Sequence, residues 1–482
     1  MKGYKNNLQV KIYMYNCVFE NNYTNIIEPT YGKKRNSYED ACFAMNLVSN
    51  HSYSISMEDR LDMTEYNVYS IDPEGCEDAD DAFSIYNKNE ELYLAIHIAD
   101  PTEYIDLQSD LWKNIVERTT TKYPSNRKPI HMIPDEILKL SSLKGDDEVK
   151  KSISVITQID TSNYAPIGDI KLHFTKIFVK AKNAYSYHDA SNENDINAFQ
   201  IGLKISQALQ EIRAKLTKGV KLNELTTAYT KFDNGQIYLY QDSYNEKRMK
   251  QMIAEFAIFA NSFVGEYLKK TLNAGIFRTC EAKDWLNASV ENISGEEMIQ
   301  QIITNGITAD YLSKVKSHDL VGMPEYCHFT SPIRRLADCI CHYLLKYIFL
   351  KNKHPNGEHM IPFTSYDLET LSTKCVNTTK KDKKNQYLDI KFRLLQVMQS
   401  MIENSGPILL EYYITGYSGL FLNIIICKIN DFHVHMSYTL RVRNYNKEIN
   451  PEIHNQIICN YVNCFTKYDQ NCIPELDHSI LN

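Results

Sequence analysis

Four aspartates crowd into the run SIDPEGCEDADDAF, which spans residues 70–83, and their mutual repulsion limits the folds that can hold them. The four residues are Asp72, Asp78, Asp80 and Asp81. Strand-like segments flank the run at 68–71 and 82–86, so the pattern predicts a partly buried turn between two strands. Carboxylates gathered in such a place need compensation, because an unpaired buried charge is costly.

A divalent metal ion is the compensation that this acidic cluster predicts. Four carboxylates suit a hard cation that prefers oxygen ligands, such as Mg²⁺, with Mn²⁺ as the second candidate. Sites that hold two such ions hydrolyse phosphodiesters. An acidic surface turn is the alternative. A calcium-binding EF-hand loop is excluded, since counting from Asp78 puts Phe83 at the glycine position and Asn89 at the glutamate position.

Composition narrows the class of protein further. The chain has 482 residues, 43% of them hydrophobic, which predicts a globular protein of several domains. No apolar run approaches the roughly 18 residues of a membrane span, and the first residues lack the apolar core of a signal peptide. We therefore expect an intracellular, cytoplasmic or similar location without membrane contact. The net charge of −7 argues against a diffuse basic surface, so a polyanion would have to enter a local basic channel.

The hydrophobic periodicity changes along the chain and predicts four regions. We expect an N-terminal extension or reduced β element at 1–60, a main domain at 61–370, a helical connector at 371–405 and a small β domain at 406–482. The main domain begins with strand patterns, including a hairpin whose turn lies at 87–90. Helical spacing follows from about residue 190.

Glu255 is unusual within a long, largely apolar helix predicted at 247–272. It is the acid of the central part of this helix, and an unpaired buried carboxylate there would be costly. Two interpretations stay open from the pattern alone. Glu255 is either a functional acid or a core acid neutralised by a salt bridge.

The segment HFTSPIRRLADCICHYLL at 328–345 predicts a second helix. Ser331 would be its N-cap and Pro332 its first residue, as these residue types favour. Arg334 and Arg335 would then lie in the first turn, where they oppose the helix dipole. A bound phosphate would reverse that penalty, while a surface arginine pair bridged to acids is the alternative.

Several blocks of the sequence, in a consistent order, resemble those of the ribonuclease II/R exoribonucleases, the RNB family that includes the processive nuclease of the eukaryotic exosome. The acidic run resembles the active-site segment of that family, and the arginine segment resembles a later block. The further matching blocks are LAIHIADPTEYI, ERTTTKYPSNRKPIHMIPDEILKLSSL, KAKNAYSY and AEFAIFAN. The resemblance covers residues from about 61 to 370 and implies that they form the RNB catalytic domain. It also implies an α+β fold with a mixed sheet packed against helices.

The resemblance also implies an activity and a role for each candidate residue. The activity is processive, Mg²⁺-dependent 3′→5′ hydrolysis of single-stranded RNA to nucleoside 5′-monophosphates. Asp72, Asp78, Asp80 and Asp81 would hold the metal, and Asp80 and Asp81 would act with Arg334 in catalysis. Arg334 and Arg335 would bind RNA. Tyr123 would stack on the 3′-terminal base, and Glu255 would contact the terminal ribose.

The sequence departs from the family pattern at both ends. Relatives carry two cold-shock barrels before the catalytic domain, and about 60 residues cannot hold both, so these barrels are expected to be reduced or absent. A protein partner could replace them. The C-terminal β domain is assigned as S1- or OB-like from its position and strand pattern only. An RNB-fold scaffold of weak activity and a DNA nuclease are the competing hypotheses.

Overall fold

The structure is a computed structural model, and it describes most of the central part of the chain. The residues described are 31, 35–45, 50–125, 128–193, 195–217, 227–233, 236–284, 302, 307–418, 421–441 and 455–459. The N-terminal prediction falls largely on residues outside these ranges. Within them, no helix is both long enough and apolar enough to cross a lipid bilayer.

Helices and strands are interspersed between residues 37 and 405. The helices are α1 (Ser37–Met45), α2 (Asp110–Arg118), α3 (Asp135–Ser141), α4 (Tyr187–Asn192), α5 (Asn197–Thr217), α6 (Tyr244–Leu272), α7 (Leu336–Lys353) and α8 (Ser365–Ser405). The strands up to the last of these helices are β1 (Leu61–Asp62), β2 (Ser70–Asp72), β3 (Asp81–Lys88), β4 (Glu91–Ala99), β5 (Val149–Ile159), β6 (Pro166–Phe178), β7 (Ala184–Ser186), β8 (Tyr229–Asp233), β9 (Gln236–Tyr240), β10 (Phe277–Cys280) and β11 (Ala309–Leu312). A short 3₁₀ helix, Pro101–Tyr104, follows β4.

A five-stranded sheet forms the centre of this region, with strand order β1-β6-β5-β4-β3. β1 runs parallel to β6 and the other neighbours are antiparallel, so the sheet is mixed. The predicted turn between β3 and β4 is confirmed. Asn89 and Glu90 both have positive φ, at 51° and 67°, which is the backbone of a tight two-residue hairpin turn.

The long helix α6 crosses the core, as its periodicity predicts. Ser243 and Glu246 form a capping box at its start, and Asn273 ends it in the left-handed conformation. Met252 and Val264 are completely buried on this helix. The mixed α+β fold that the sequence predicts is therefore confirmed.

The helix predicted to begin at Pro332, with Ser331 as its N-cap, begins four residues later, at Leu336. Residues 332–334 form a turn instead, in which the N–H of Arg335 donates to the carbonyl of Ser331 over 3.0 Å. The N-cap of α7 is Arg335, which has extended backbone dihedrals. Backbone pairing of Arg335 with Thr120 competes with the helical conformation. The arginines thus precede the helix, and the argument from its dipole does not apply to them.

A second core lies beyond the central sheet. The helix α8 leads into a four-stranded antiparallel sheet with the order β14-β13-β12-β15. Its strands are β12 (Ile408–Ser418), β13 (Phe421–Ile429), β14 (Phe432–Arg441) and β15 (Asn455–Cys459). Leu395 and Met398 of α8 pack with Ile426 of this sheet and with Leu239 of β9. The β8–β9 hairpin therefore belongs to this second core, although the chain reaches it before α6.

A buried ionic cluster joins distant segments beneath the central sheet. Arg60 contacts Asp100 at 2.7 Å and Glu103 at 2.8 Å, and Lys346 contacts the same two acids at 3.0 and 2.7 Å. Burial alone would raise the pKa of Asp100, but Lys346 and Arg60 outweigh it and hold that pKa well below its usual range. The cluster fixes α7 against the end of β4 and so helps to place the turn that precedes α7.

We expect Lys346→Ala to lower the free energy of unfolding by about 3–5 kcal/mol, because it leaves two buried carboxylates with one cation fewer. Urea unfolding followed by circular dichroism measures the change. The control is Lys113→Ala, whose exposed partner is Asp110 at 2.8 Å and whose effect should stay within about 1 kcal/mol. Equal losses in the two variants would contradict this account.

Candidate active site

The acidic run forms the loop between β2 and β3, at the edge of a pocket of about 680 Å³. The loop is held on both sides. The carbonyl of Asp80 accepts a hydrogen bond from the N–H of Ala99 over 2.8 Å, and the carbonyl of Ala79 accepts one from Leu143 over 2.9 Å. All four aspartates line the pocket, together with Tyr123, Arg334 and Arg335. The structure thus brings seven of the eight candidate residues together.

Asp80 links the acidic loop to the turn at residues 332–334, which we call the arginine turn. Its Oδ1 accepts a hydrogen bond from the N–H of Ile333 over 2.8 Å. Its Oδ2 lies 2.8 Å from Nε of Arg334, an ion pair that lacks the alignment of a hydrogen bond. Burial raises the pKa of Asp80 well above its usual value, although Arg334 acts in the opposite direction. One oxygen of a buried carboxylate is therefore left without a hydrogen-bond donor among the described residues.

The other three aspartates, Asp72, Asp78 and Asp81, differ in the groups that compensate their charge. Ser70 donates to Asp72, and the thiol of Cys76 lies 3.5 Å from Oδ1 of Asp78. Burial raises the pKa of Asp72 to about 6 and that of Asp81 to about 7, and the repulsion between these two acids adds to the shift at Asp81. The site carries more negative charge than Arg334 neutralises.

The residues fit a hard divalent cation by the chemistry of their donors. Buried carboxylate oxygens that lack full compensation are the ligands that Mg²⁺ and Mn²⁺ prefer. Burial, with Asp72 and Asp78 nearby, raises the pKa of the Cys76 thiol, so the sulfur stays neutral and is a poor ligand. Among the described residues, no three His, Cys, Asp or Glu side chains are already arranged as a metal cage.

Tyr123 lies at the rim of the pocket, with 39% of its surface exposed. Its hydroxyl donates to Oδ2 of Asp78. The loop that carries Tyr123 is hydrogen-bonded to the arginine turn through the backbone. The N–H of Thr121 donates to the carbonyl of Arg334, and the N–H of Leu336 donates to the carbonyl of Thr119. The ring, the acidic loop and Arg334 are consequently held in one assembly.

The helix α8 holds the same loop from the outside. Asp382 accepts a hydrogen bond from the hydroxyl of Thr120 over 2.7 Å and pairs with Lys122. Two turns along the helix, Asp389 accepts from the backbone N–H and the hydroxyl of Ser125, over 2.8 and 2.7 Å. These acids bracket Tyr123 on both sides.

Arg335 has a different role from Arg334. Its Nε and Nη2 each lie 2.8 Å from an oxygen of Asp338, which also accepts the N–H of Ser331 over 2.7 Å. This bidentate pair consumes the charge of Arg335 and stabilises the turn. Arg334 keeps a partly exposed guanidinium that faces the acids. Of the predicted arginine pair, Arg334 is therefore the one whose charge is directed at the pocket.

Glu255 lies away from the pocket, so the structure does not bring it together with the other candidate residues. Its carboxylate is buried and lies 2.6 Å from Nη2 of Arg213 on α5. This is the salt-bridged core acid that the pattern allowed as an alternative. The neighbouring residues Ala254 and Ala257 face the pocket instead, because the helix turns Glu255 toward α5.

Three further residues that line the pocket, Tyr187, Lys250 and Asn261, were not predicted as site residues from the sequence. Tyr187 and Asn261 end the blocks KAKNAYSY and AEFAIFAN, so the blocks themselves were the available signal. Asn261 accepts hydrogen bonds from the N–H groups of Phe329 and Thr330, over 2.8 and 3.2 Å, and so supports the approach to the arginine turn. Lys250 carried no distinctive pattern.

Comparison with known proteins identifies the family of this chain. The family model described as the RNB domain matches residues 60–351, which is more than half of the chain. The chain belongs to the RNB family. The exosome complex exonuclease RRP44 homolog A of Arabidopsis thaliana is 29% identical to it over 61% of this chain and 36% of the relative. The chain thus spans little more than a third of that relative's length.

Two solved structures share the RNB fold with this chain. The Dss1 exoribonuclease of Candida glabrata, an active-site mutant, has a TM-score of 0.68 at 18% identity and covers 83% of this chain and 53% of its own. Yeast Ssd1, described as a pseudonuclease, has a TM-score of 0.60 at 17% identity and covers 76% and 49%. Identities this low support the fold alone. An exoribonuclease and a pseudonuclease share it.

We expect Asp389→Ala to loosen the loop that carries Tyr123, because the hydrogen bonds to Ser125 are lost. Limited trypsin digestion detects this as faster cleavage after Lys122 and Arg127, since Pro129 blocks cleavage after Lys128. The control is Asp310→Asn, which removes a 3.4 Å contact with Lys380 on the same helix but none with the loop. Unchanged cleavage rates in Asp389→Ala would show that α8 does not support the loop.

Proposed function

We propose that this protein is a metal-dependent 3′→5′ exoribonuclease that acts on single-stranded RNA. The observation that carries the proposal is the convergence of Asp72, Asp78, Asp80 and Asp81 with Arg334 in one pocket of an RNB fold. A scaffold has no need to keep carboxylates that repel one another together in a buried site. The name of the Arabidopsis relative, an exonuclease, agrees with this activity.

The four carboxylates would hold Mg²⁺, with Mn²⁺ as the second candidate. A bound divalent ion would supply a nucleophilic water and stabilise charge on the leaving 3′ oxygen. Asp80 is the strongest candidate ligand, since its Oδ2 is buried and accepts no hydrogen bond from the described residues. Asp81 is the second, because its carboxylate is weakly compensated and its pKa is raised to about 7 by burial.

The remaining pocket residues would orient the RNA. Arg334 would neutralise charge on the scissile phosphate, because its guanidinium is partly exposed and directed at the acidic loop. The Tyr123 ring would stack on the terminal base, a contact that holds any base without reading its identity. Its hydroxyl bond to Asp78 and the support from α8 fix the ring before the strand arrives. Processive release of nucleoside 5′-monophosphates is the product pattern that this arrangement favours.

Asp80→Asn should abolish hydrolysis and leave RNA binding intact, because it removes a metal ligand and lowers the repulsion of phosphate. A 5′-labelled single-stranded RNA with Mg²⁺ or EDTA, followed on a sequencing gel, gives the readout. Wild-type protein should produce a Mg²⁺-dependent ladder that shortens from the 3′ end.

The matched control is Asp62→Asn, which alters an exposed acid paired with Lys176 at 2.9 Å. It should cleave like the wild type. Full activity in Asp80→Asn would show that this carboxylate is not needed for hydrolysis. Loss of folding in that variant, seen by circular dichroism, would instead make the acidic cluster structural.

Mg²⁺ binding should strengthen as the pH rises through 6 and 7, since Asp72 and Asp81 have pKa values raised to about 6 and about 7. Below these values the carboxylates carry protons that an incoming cation must displace, and above them they are already charged. Calorimetric titration in two buffers of different ionisation enthalpy measures the protons released. Asp81→Asn should release fewer, and a pH-independent affinity without proton release would contradict the assignment.

A second candidate function is an RNB-fold scaffold that binds RNA or a protein partner without cleaving it. The pseudonuclease Ssd1, which shares the fold, is the observation that favours it. Intact RNA after incubation with folded protein, with either Mg²⁺ or Mn²⁺, would establish this alternative. A matched DNA oligonucleotide in the same assay tests the DNA-nuclease hypothesis, since Glu255 does not reach the pocket to select ribose.

A further inference from the structure

The β8–β9 hairpin has two chemically different faces. Side chains alternate along a strand, so Phe232, Ile237 and Leu239 share one face, and the latter two pack into the second core. The opposite face carries the cross-strand pairs Tyr229 with Tyr240 and Lys231 with Tyr238. Three tyrosines and a lysine therefore occupy the face that the core leaves uncovered.

The tyrosines of this face, Tyr229, Tyr238 and Tyr240, are accessible, and two of them are fixed in place. Tyr229 is 38% exposed and Tyr238 is 40% exposed. The hydroxyl of Tyr229 donates to Asp242 over 3.2 Å and that of Tyr240 to Glu246 over 2.6 Å. Rings anchored by their hydroxyl groups lose little further freedom when a flat ligand stacks on them.

Lysines lie against the same rings. Nζ of Lys231 is 3.9 Å from the centroid of Tyr240. Nζ of Lys250 is 5.0 Å from the centroid of Tyr229 and 5.5 Å from that of Tyr187. Aromatic rings interleaved with lysines are the surface that single-stranded nucleic acids use, bases on the rings and phosphates near the cations.

The hairpin face is continuous with the pocket. Lys250 and Tyr187 line the pocket, so the cation over Tyr229 is also a wall of the candidate active site. Lys231 lies 3.9 Å from Glu74, which belongs to the acidic loop and lines the pocket as well. A strand whose 3′ end sits in the pocket can therefore extend onto the hairpin without leaving the protein surface.

We propose that this hairpin face is a binding track for the RNA nucleotides that lie 5′ of those held in the pocket. Their bases stack on Tyr229 and Tyr238, and Lys231 contacts a phosphate. The inference rests on the proposed RNA substrate and adds to it a second binding element. The track is independent of base sequence, since every base offers a flat face to a tyrosine ring.

Fluorescence anisotropy in EDTA, with the full chain and labelled single-stranded RNAs of two lengths, tests the track. A tetranucleotide fills the pocket only, and a dodecanucleotide reaches the hairpin. Tyr238→Ala should weaken binding of the dodecanucleotide about tenfold, because one stacked base is lost, and leave the tetranucleotide unaffected. Tyr238→Phe keeps the ring and should bind like the wild type. Tyr366→Ala, another exposed tyrosine, is the matched control.

Lys231→Gln gives an independent readout, since each phosphate contact contributes about 0.7 to the salt dependence of binding to a single strand. The slope for the dodecanucleotide should fall by about this amount. Equal dodecanucleotide binding by wild type and Tyr238→Ala would overturn the track, and so would equal losses for both lengths. If the wild type binds neither RNA, the track is rejected, and the proposed function fails as well if the Mg²⁺-dependent ladder is also missing. Tetranucleotide binding without any gain for the longer RNA would reject only the track.

Discussion

The contact of Asp80 with the arginine turn is the interaction on which the pocket depends. It joins the start of β3 to residues more than 250 positions later, through the N–H of Ile333 and the guanidinium of Arg334. Both partners are needed, because a carboxylate so deeply buried gains too little from a single cation to offset its lost hydration. The acidic loop and the arginine turn therefore stabilise one another, and the pocket needs both.

Support for this contact comes from elements that carry no chemistry themselves. The ionic cluster of Arg60, Asp100, Glu103 and Lys346 fixes α7 against β4, and Asp338 shapes the turn in front of α7. Asn261 of α6 supports the approach to this turn, because it accepts a hydrogen bond from the N–H of Phe329. A pocket that collects like charges needs such rigid surroundings, because its own carboxylates favour separation.

The sequence pattern predicted the elements whose conformation depends on residues close to one another in the chain. The strands on both sides of the acidic run, the β3–β4 turn and the long helix α6 follow from alternation, helical spacing and turn chemistry, and the structure confirms them. The start of α7 could not be predicted from local patterns, because it depends on the pairing of Arg335 with Thr120, which is distant in sequence. The surroundings of Glu255 could not be predicted for the same reason. Periodicity marks a buried acid but does not reveal that Arg213 neutralises it.

The extent of the family match and the extent of the physical unit differ at the C-terminal end. The RNB match stops at residue 351, whereas α8 begins at Ser365 and supplies Asp382 and Asp389 to the loop of Tyr123. The same helix spans about 60 Å and also packs into the second core. A fragment cut at the family boundary would keep the four aspartates of the acidic loop and Arg334 but lose the outer support of the stacking ring. The unit that holds the candidate site in place is consequently longer than the segment that the family model matches.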